Sequence, residues 1–203
     1  AAAPVRLSDD FWASRPILEH IRQAAYSRSR SADLVLHVVL SRLAACLPMT
    51  LELPPIVGSP GSLNFYTAPV GASGTGKSTG VAVARELVPA PFGLDIADDR
   101  PLGSGEGLAE LYMGNVKVPA EPGKRATTIR KQVRHHAWVY VDEGEALVNL
   151  LERKGTTVLE SLRRAWSGST LGQSNASADS TRVVPGGLYR LGLVVAFQPE
   201  KAE

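Results

Sequence analysis

Eight consecutive residues, Gly71-Ala72-Ser73-Gly74-Thr75-Gly76-Lys77-Ser78, limit what this chain can fold into more than any other segment. Three glycines in eight positions favour neither a helix nor a strand, because glycine loses the most conformational freedom in regular structure. The flanks are regular. Leu63 to Val70 has the β-branched and aromatic content of a strand, and Ser78 to Leu87 reads as a helix. Strand, glycine loop and helix in that order open a parallel α/β unit.

The eight residues match G-x-x-x-x-G-K-[ST] at every fixed position. In 203 residues, a chance match at background composition is on the order of one in a hundred. The chemistry requires these residue types. A loop whose successive N–H groups turn inward to wrap a phosphate needs backbone angles that glycine reaches without steric cost. The helix beginning near Lys77 aims its dipole and free N–H groups at the same anion. Lys77 supplies a compact positive charge between the β- and γ-phosphates, and the Ser78 hydroxyl coordinates magnesium. Thr79 is in position to donate on the α-phosphate side. Gly71, Ala72, Ser73, Gly74, Thr75, Gly76, Lys77, Ser78 and Thr79 are therefore the candidate contacts of a nucleoside triphosphate bound with Mg2+.

Downstream, Trp138-Val139-Tyr140-Val141 is an apolar run that ends in Asp142-Glu143. In a parallel sheet ligands bind at the carboxyl ends of strands, which sets both acids beside the triphosphate. Asp142 is the second candidate magnesium anchor. Glu143, one residue on, is the candidate general base that orients and polarises the attacking water. A helix N-cap would explain Asp142 as well. The chain has no Asn-Lys-x-Asp guanine-reading motif, which argues for ATP over GTP. A glutamate poised for water favours hydrolysis over phosphoryl transfer to a metabolite.

The remainder divides into three stretches. Residues 1–50 read as a helical region, with Pro16 at a helix start and Ser31 as N-cap of a second helix running to Leu47. Residues 51–62 are rich in proline and glycine and read as a linker or an irregular edge. Residues 63–203 form the nucleotide-binding core, an α/β unit with a mainly parallel sheet. Within it, Gly103 to Gly107 is a second glycine turn opening a short helix. Gly114 to His135 reads as a long polar connection, Ala137 to Val141 as a buried strand, and Glu145 to Arg153 and Thr156 to Trp166 as helices. Thr181 to Val184, a turn, and a strand over Leu188 to Phe197 follow. Because the chain stops soon after that strand, the expectation is a core incomplete at its C-terminal end, or else a small sheet.

Net charge is +2, so a nucleic-acid role would need a local patch. Lys117, Lys124, Arg125, Arg130, Lys131 and Arg134 supply one, although a solvated charged loop explains them equally and no aromatic residues interleave to stack bases. A single cysteine, Cys46, excludes an intrachain disulfide and sets a reducing, cytoplasmic location as the expectation. No stretch has the length of a membrane span, so no membrane partner is expected. Gln198, at the tip of the last strand, either touches the γ-phosphate and the attacking water or is a solvated residue before Pro199. Glu106 is open to three readings: catalytic, partner-binding, or favouring a helix N-terminus. His135-His136 has no cysteine or acid cluster at ligand spacing. Trp166 and the Ser/Asn-rich loop after it are a candidate mobile cover for the site.

The combined order resembles a phosphate-loop ATPase family of bacteria and phages whose function is unknown. The carrying segments are GASGTGKS at Gly71, PLGSGEGLAE at Pro101, VYVDEGEAL at Val139, RRAWSGSTLGQSNAS at Arg163 and YRLGLVVAFQPE at Tyr189. Members of that family often sit beside, or are fused to, primase-type modules, and are similar to hexameric helicases with a RecA-like core. The resemblance implies a RecA-like fold, ATP hydrolysis by Lys77, Ser78, Asp142 and Glu143, and Gln198 as γ-phosphate sensor. It implies a helicase-like motor on DNA, assembled as a homo-oligomeric ring in which a neighbouring subunit supplies an arginine in trans. The relatives carry an Arg-Phe pair beyond the Gln-Pro strand, past the point where this sequence stops. The rival reading is a nucleotide-dependent switch or assembly module with slow hydrolysis and no nucleic acid.

Overall fold

The computed structural model describes residues 6–55, 58, 60–118, 127–173 and 181–199. Three helices come first: α1 (Asp9–Ala13), α2 (Pro16–Ser27) and α3 (Ala32–Cys46). Local chemistry sets their ends. Pro16 occupies the first turn of α2, where its missing N–H costs nothing. The Ser31 Oγ accepts from the Leu34 N–H at 3.4 Å to cap α3. The short α1, which the sequence pattern does not reveal, is capped by Ser8 and held by the buried Trp12.

The remaining elements are β1 (Phe65–Thr67), α4 (Lys77–Leu87), β2 (Ile96–Arg100), α5 (Gly105–Glu110), β3 (Met113–Val118), β4 (Thr127–Gln132), β5 (His136–Val141), α6 (Gly144–Leu151), α7 (Val158–Trp166), β6 (Leu171–Gln173), β7 (Arg182–Val184) and β8 (Arg190–Val195). Four of the strands form a parallel sheet in the order β1-β8-β5-β2. The protein is an α/β fold with this sheet flanked by helices.

Alternation along the two central strands divides the core. Ala137 and Val139 of β5, with Leu191, Leu193 and Val195 of β8, pack with α5, α6 and α7. Trp138 and Val194 face the other way, into a cluster with α1 to α4. With both faces covered, β8 is buried along its whole length, and so reads as an unbroken apolar run after Arg190. At Gly192 the main chain of α3 lies so close that an added Cβ would strike the Ser41 carbonyl oxygen. The N-terminal helices therefore form one layer of the fold, directly on the sheet.

A buried charge ties that layer to β2. Arg42 of α3, only 2% exposed, donates to both Asp98 oxygens at 2.9 and 3.2 Å and to the Val88 carbonyl at 2.8 Å. Its guanidinium carbon stands 4.7 Å from the Trp138 ring centroid. Asp98 therefore belongs to a strand, although Ile96-Ala97-Asp98-Asp99-Arg100 looks like a charged loop in sequence.

The polar stretch Gly114 to His135 is not a structureless connection. β3 and β4 pair antiparallel, from Met113 opposite Gln132 to Val118 opposite Thr127. A two-stranded ribbon covers little core, so apolar periodicity is nearly absent from its sequence. Lys124 and Arg125 lie outside the described residues, as do residues 174–180 of the Ser/Asn-rich loop. The proline-rich segment after α3 is irregular, and it is fixed at its start by the buried Arg190. That guanidinium donates to the carbonyls of Pro48 at 3.0 Å, Met49 at 3.1 Å, and Leu51. Among the described residues no helix is long and apolar enough to cross a membrane.

Candidate functional site

The carboxyl ends of β1, β8 and β5 lie side by side, and each feeds one part of a cleft of about 460 Å³. From the β1 side come Ser73, Gly74, Gly76, Lys77, Ser78 and Thr79. From β5 come Asp142 and Glu143, with Gly144 and Glu145 at the start of α6. From β8 come Ala196 and Gln198. Backbone bonds stitch the middle segment to both neighbours. The Gly71 N–H donates to Phe197 O at 3.1 Å, Phe197 N–H to Pro69 O at 2.8 Å, and Ala196 N–H to Val141 O at 2.8 Å. The Gly144 N–H donates to Ala196 O at 2.7 Å, and an added Cβ at Gly144 would overlap the Phe197 ring. Gln198 is thereby held between the glycine loop and the acidic pair.

Two glycines in the loop adopt angles that L side chains rarely do: Gly74 at φ +76° and Gly76 at φ +83°. Gly76 is the N-cap of α4, and no side chain caps that helix. The first N–H groups of a helix have no intrahelical acceptors, so they are donors for whatever occupies the cleft. The N-terminal end of α6 borders the same space, and its cap residue Glu143 makes no side-chain capping bond. Asp142 is not a helix cap. It precedes the cap position, and its Oδ1 accepts from the Tyr140 hydroxyl.

Tyr140 is the residue that sequence reasoning missed. The signal was available, since residues two apart on a strand share a face, which sets Tyr140 beside Asp142. Burial, with the Asp142 hydrogen bond second, pushes the Tyr140 phenol above its ordinary value.

Lys77 Nζ is directed onto the loop itself, donating to the carbonyls of Gly71 and, at 3.1 Å, Ala72. Thr75 shapes the loop from within, its Oγ1 donating to Ala72 O at 2.8 Å. Gly71, Ala72 and Thr75 are not on the cleft wall. Chemically, the cleft combines an ammonium group, two helix N-termini and a hydroxyl–carboxylate pair of hard oxygen donors. That set suits a polyanion carrying a small divalent cation.

Other candidates lie elsewhere. Glu106 accepts from Gln173 Nε2 at 3.3 Å and pairs with Arg182 at 3.7 Å, lining a smaller cleft of about 220 Å³ with Thr157 and Glu160. Trp166 packs edge-on to Tyr66 with ring centroids 5.2 Å apart. The His135 and His136 Nδ1 atoms bond the Leu188 and Ala45 carbonyls, both at 2.8 Å. Burial holds His136 below the usual imidazole range. No protein-family model and no curated protein matches this chain.

Proposed function

We propose that this chain is a phosphate-loop ATPase with a RecA-like core, binding ATP with magnesium at Gly71–Thr79 and hydrolysing it. One observation carries the reading: the uncapped, glycine-shaped start of α4, the acids after β5 and Gln198 after β8 converge on a single cleft. Lys77 exchanges the Gly71 and Ala72 carbonyls for the β- and γ-phosphates. Ser78 and Asp142 fit magnesium as hydroxyl and carboxylate ligands, with Tyr140 orienting the carboxylate. The ion, when bound, neutralises charge on the phosphate oxygens. Glu143 takes the proton of the attacking water, and Gln198 contacts that water or the γ-phosphate.

The reading extends to a helicase-like motor on DNA that works as a homo-oligomeric ring, with a neighbouring subunit contributing an arginine. The exposed Lys117 and Lys131 of the β3–β4 ribbon support it, together with the resemblance carried by the five segments.

The test is phosphate release with and without single- and double-stranded DNA. The expected outcome is DNA-stimulated hydrolysis in the wild type, lowered about 10²- to 10⁴-fold in Glu143→Gln with ATP binding retained. Equal rates with and without DNA would remove the motor and leave a nucleotide switch. Phosphoryl transfer to a metabolite would make the chain a kinase.

A further inference from the structure

The turn between α2 and α3 reaches the glycine loop. Its conformation is set by a helix-terminating motif around Ser29. The Arg30 N–H donates to Ala25 O at 2.9 Å and the Ser29 N–H to Tyr26 O at 2.9 Å. Ser29 stands in the left-handed region at φ +53°. This pair of hydrogen bonds fixes where the Arg30 backbone leaves α2.

From there the guanidinium crosses to the loop. Its Nη1 donates to the Thr75 carbonyl at 3.2 Å, and its Nε donates to Arg28 O at 2.9 Å. It fills the space beside Gly76, where an added Cβ would run into it. No carboxylate among the described residues pairs with it. Behind it, α3 sits tightly on α4, with an added Cβ at Gly80 coming within 2.5 Å of Leu34 Cδ2.

The Thr75 carbonyl and the Gly76 N–H belong to one planar trans peptide, so they point in opposite directions. We propose that Arg30 is a positioning residue for the phosphate loop: by holding the Thr75 carbonyl on the side of the N-terminal helices, it turns the Gly76 N–H toward the phosphates. Gly76 lines the cleft and Arg30 does not, so the arginine acts through the peptide rather than on the ligand. A cation on the carbonyl also polarises the peptide, which strengthens the N–H as a donor. This role rests on the phosphate-loop reading and gives the N-terminal layer a part in nucleotide affinity.

The test uses the full chain, with Mg·ADP as the probe, titrated by calorimetry and followed by the Gly76 amide resonance. Arg30→Ala is expected to weaken binding about tenfold, as for loss of a charge-assisted hydrogen bond. At saturating Mg·ADP its Gly76 amide moves less far downfield than in the wild type. Arg30→Lys restores most of the affinity. Leu34→Ala, which loosens the same helix pair but spares the carbonyl contact, stays within about twofold of wild type because that hydrogen bond is kept. Should Arg30→Ala not fold, Arg30→Gln replaces it, with the same expected direction.

Unchanged affinity and an unchanged Gly76 shift in the Arg30 variants would overturn the proposal. So would a loss in Leu34→Ala equal to that in Arg30→Ala. Failure of the wild type to bind Mg·ADP is a separate result, and it overturns the phosphate-loop reading itself.

Discussion

The loop Gly71–Ser78 and the turn Gly103–Gly107 both lead from a strand into a helix, both are glycine-rich, and both contain a serine. They use these residues oppositely. In the turn, Ser104 accepts from the Gly107 N–H at 2.9 Å, so α5 is capped by its own chain. Gly105 is buried, and an added Cβ would lie 2.7 Å from the Thr157 carbonyl carbon and close to Ser161 Oγ. Its glycine allows two elements to touch. In the loop, Gly76 takes the cap position with no side chain to satisfy α4, and Gly74 has open space where a Cβ would be. Those glycines serve backbone angle and access. Both segments carry three glycines; the capping pattern separates the uncapped loop from a packing turn.

Three substitutions can break or sharpen that contrast. The largest effect is expected from Lys77→Ala. Loss of an ion-assisted phosphate contact should weaken Mg·ATP by about tenfold to a hundredfold, with the apo melting temperature nearly unchanged, as calorimetry and thermal denaturation would show. Strong binding by this variant would mean that the loop is not a phosphate site. Next comes Gly105→Ala, where overpacking against Thr157 should cost about 1–3 kcal/mol of folding stability. Its nucleotide affinity should match wild type, and a matching loss of affinity would erase the distinction between the two turns. Smallest is Ser104→Ala, for which removing the cap should cost about 1 kcal/mol in denaturant unfolding. Nucleotide should still raise its melting temperature as it does for wild type.

How much was legible in sequence follows from where the information is local. The proline start of α2, the serine cap of α3, the glycine loop, and the apolar run into Asp142-Glu143 all depend on neighbours within a few positions, and the structure has helices and strands there. β2 was hidden because Asp98 is stabilised by Arg42, 56 positions earlier, and charge in a strand reads as loop until its partner is known. The β3–β4 ribbon was hidden for the opposite reason, since most of its side chains meet no core. In the site, spacing located the loop and the two acids, which, apart from Gly71, Ala72 and Thr75, share one cleft with Gln198, left open in sequence. The contributions of Tyr140 and Arg30 depend on pleat geometry and on a turn in the N-terminal layer. The first could be inferred from i,i+2 spacing; the second has no local signature.

The strand order carries a consequence for how the protein is made. β8 comes last among the described strands yet sits between β1 and β5, and the only sheet partner of β1 among the described residues is β8. Among the described strands, Phe65–Thr67 therefore has no sheet partner until Arg190–Val195 has been translated. Long-range parallel pairing of this kind is slow and leaves strand edges exposed in the meantime. Pairing β8 joins β1 to β5, while Phe197 and Ala196 draw together the two halves of the cleft. Among the described elements, the cleft is completed only when β8 is inserted.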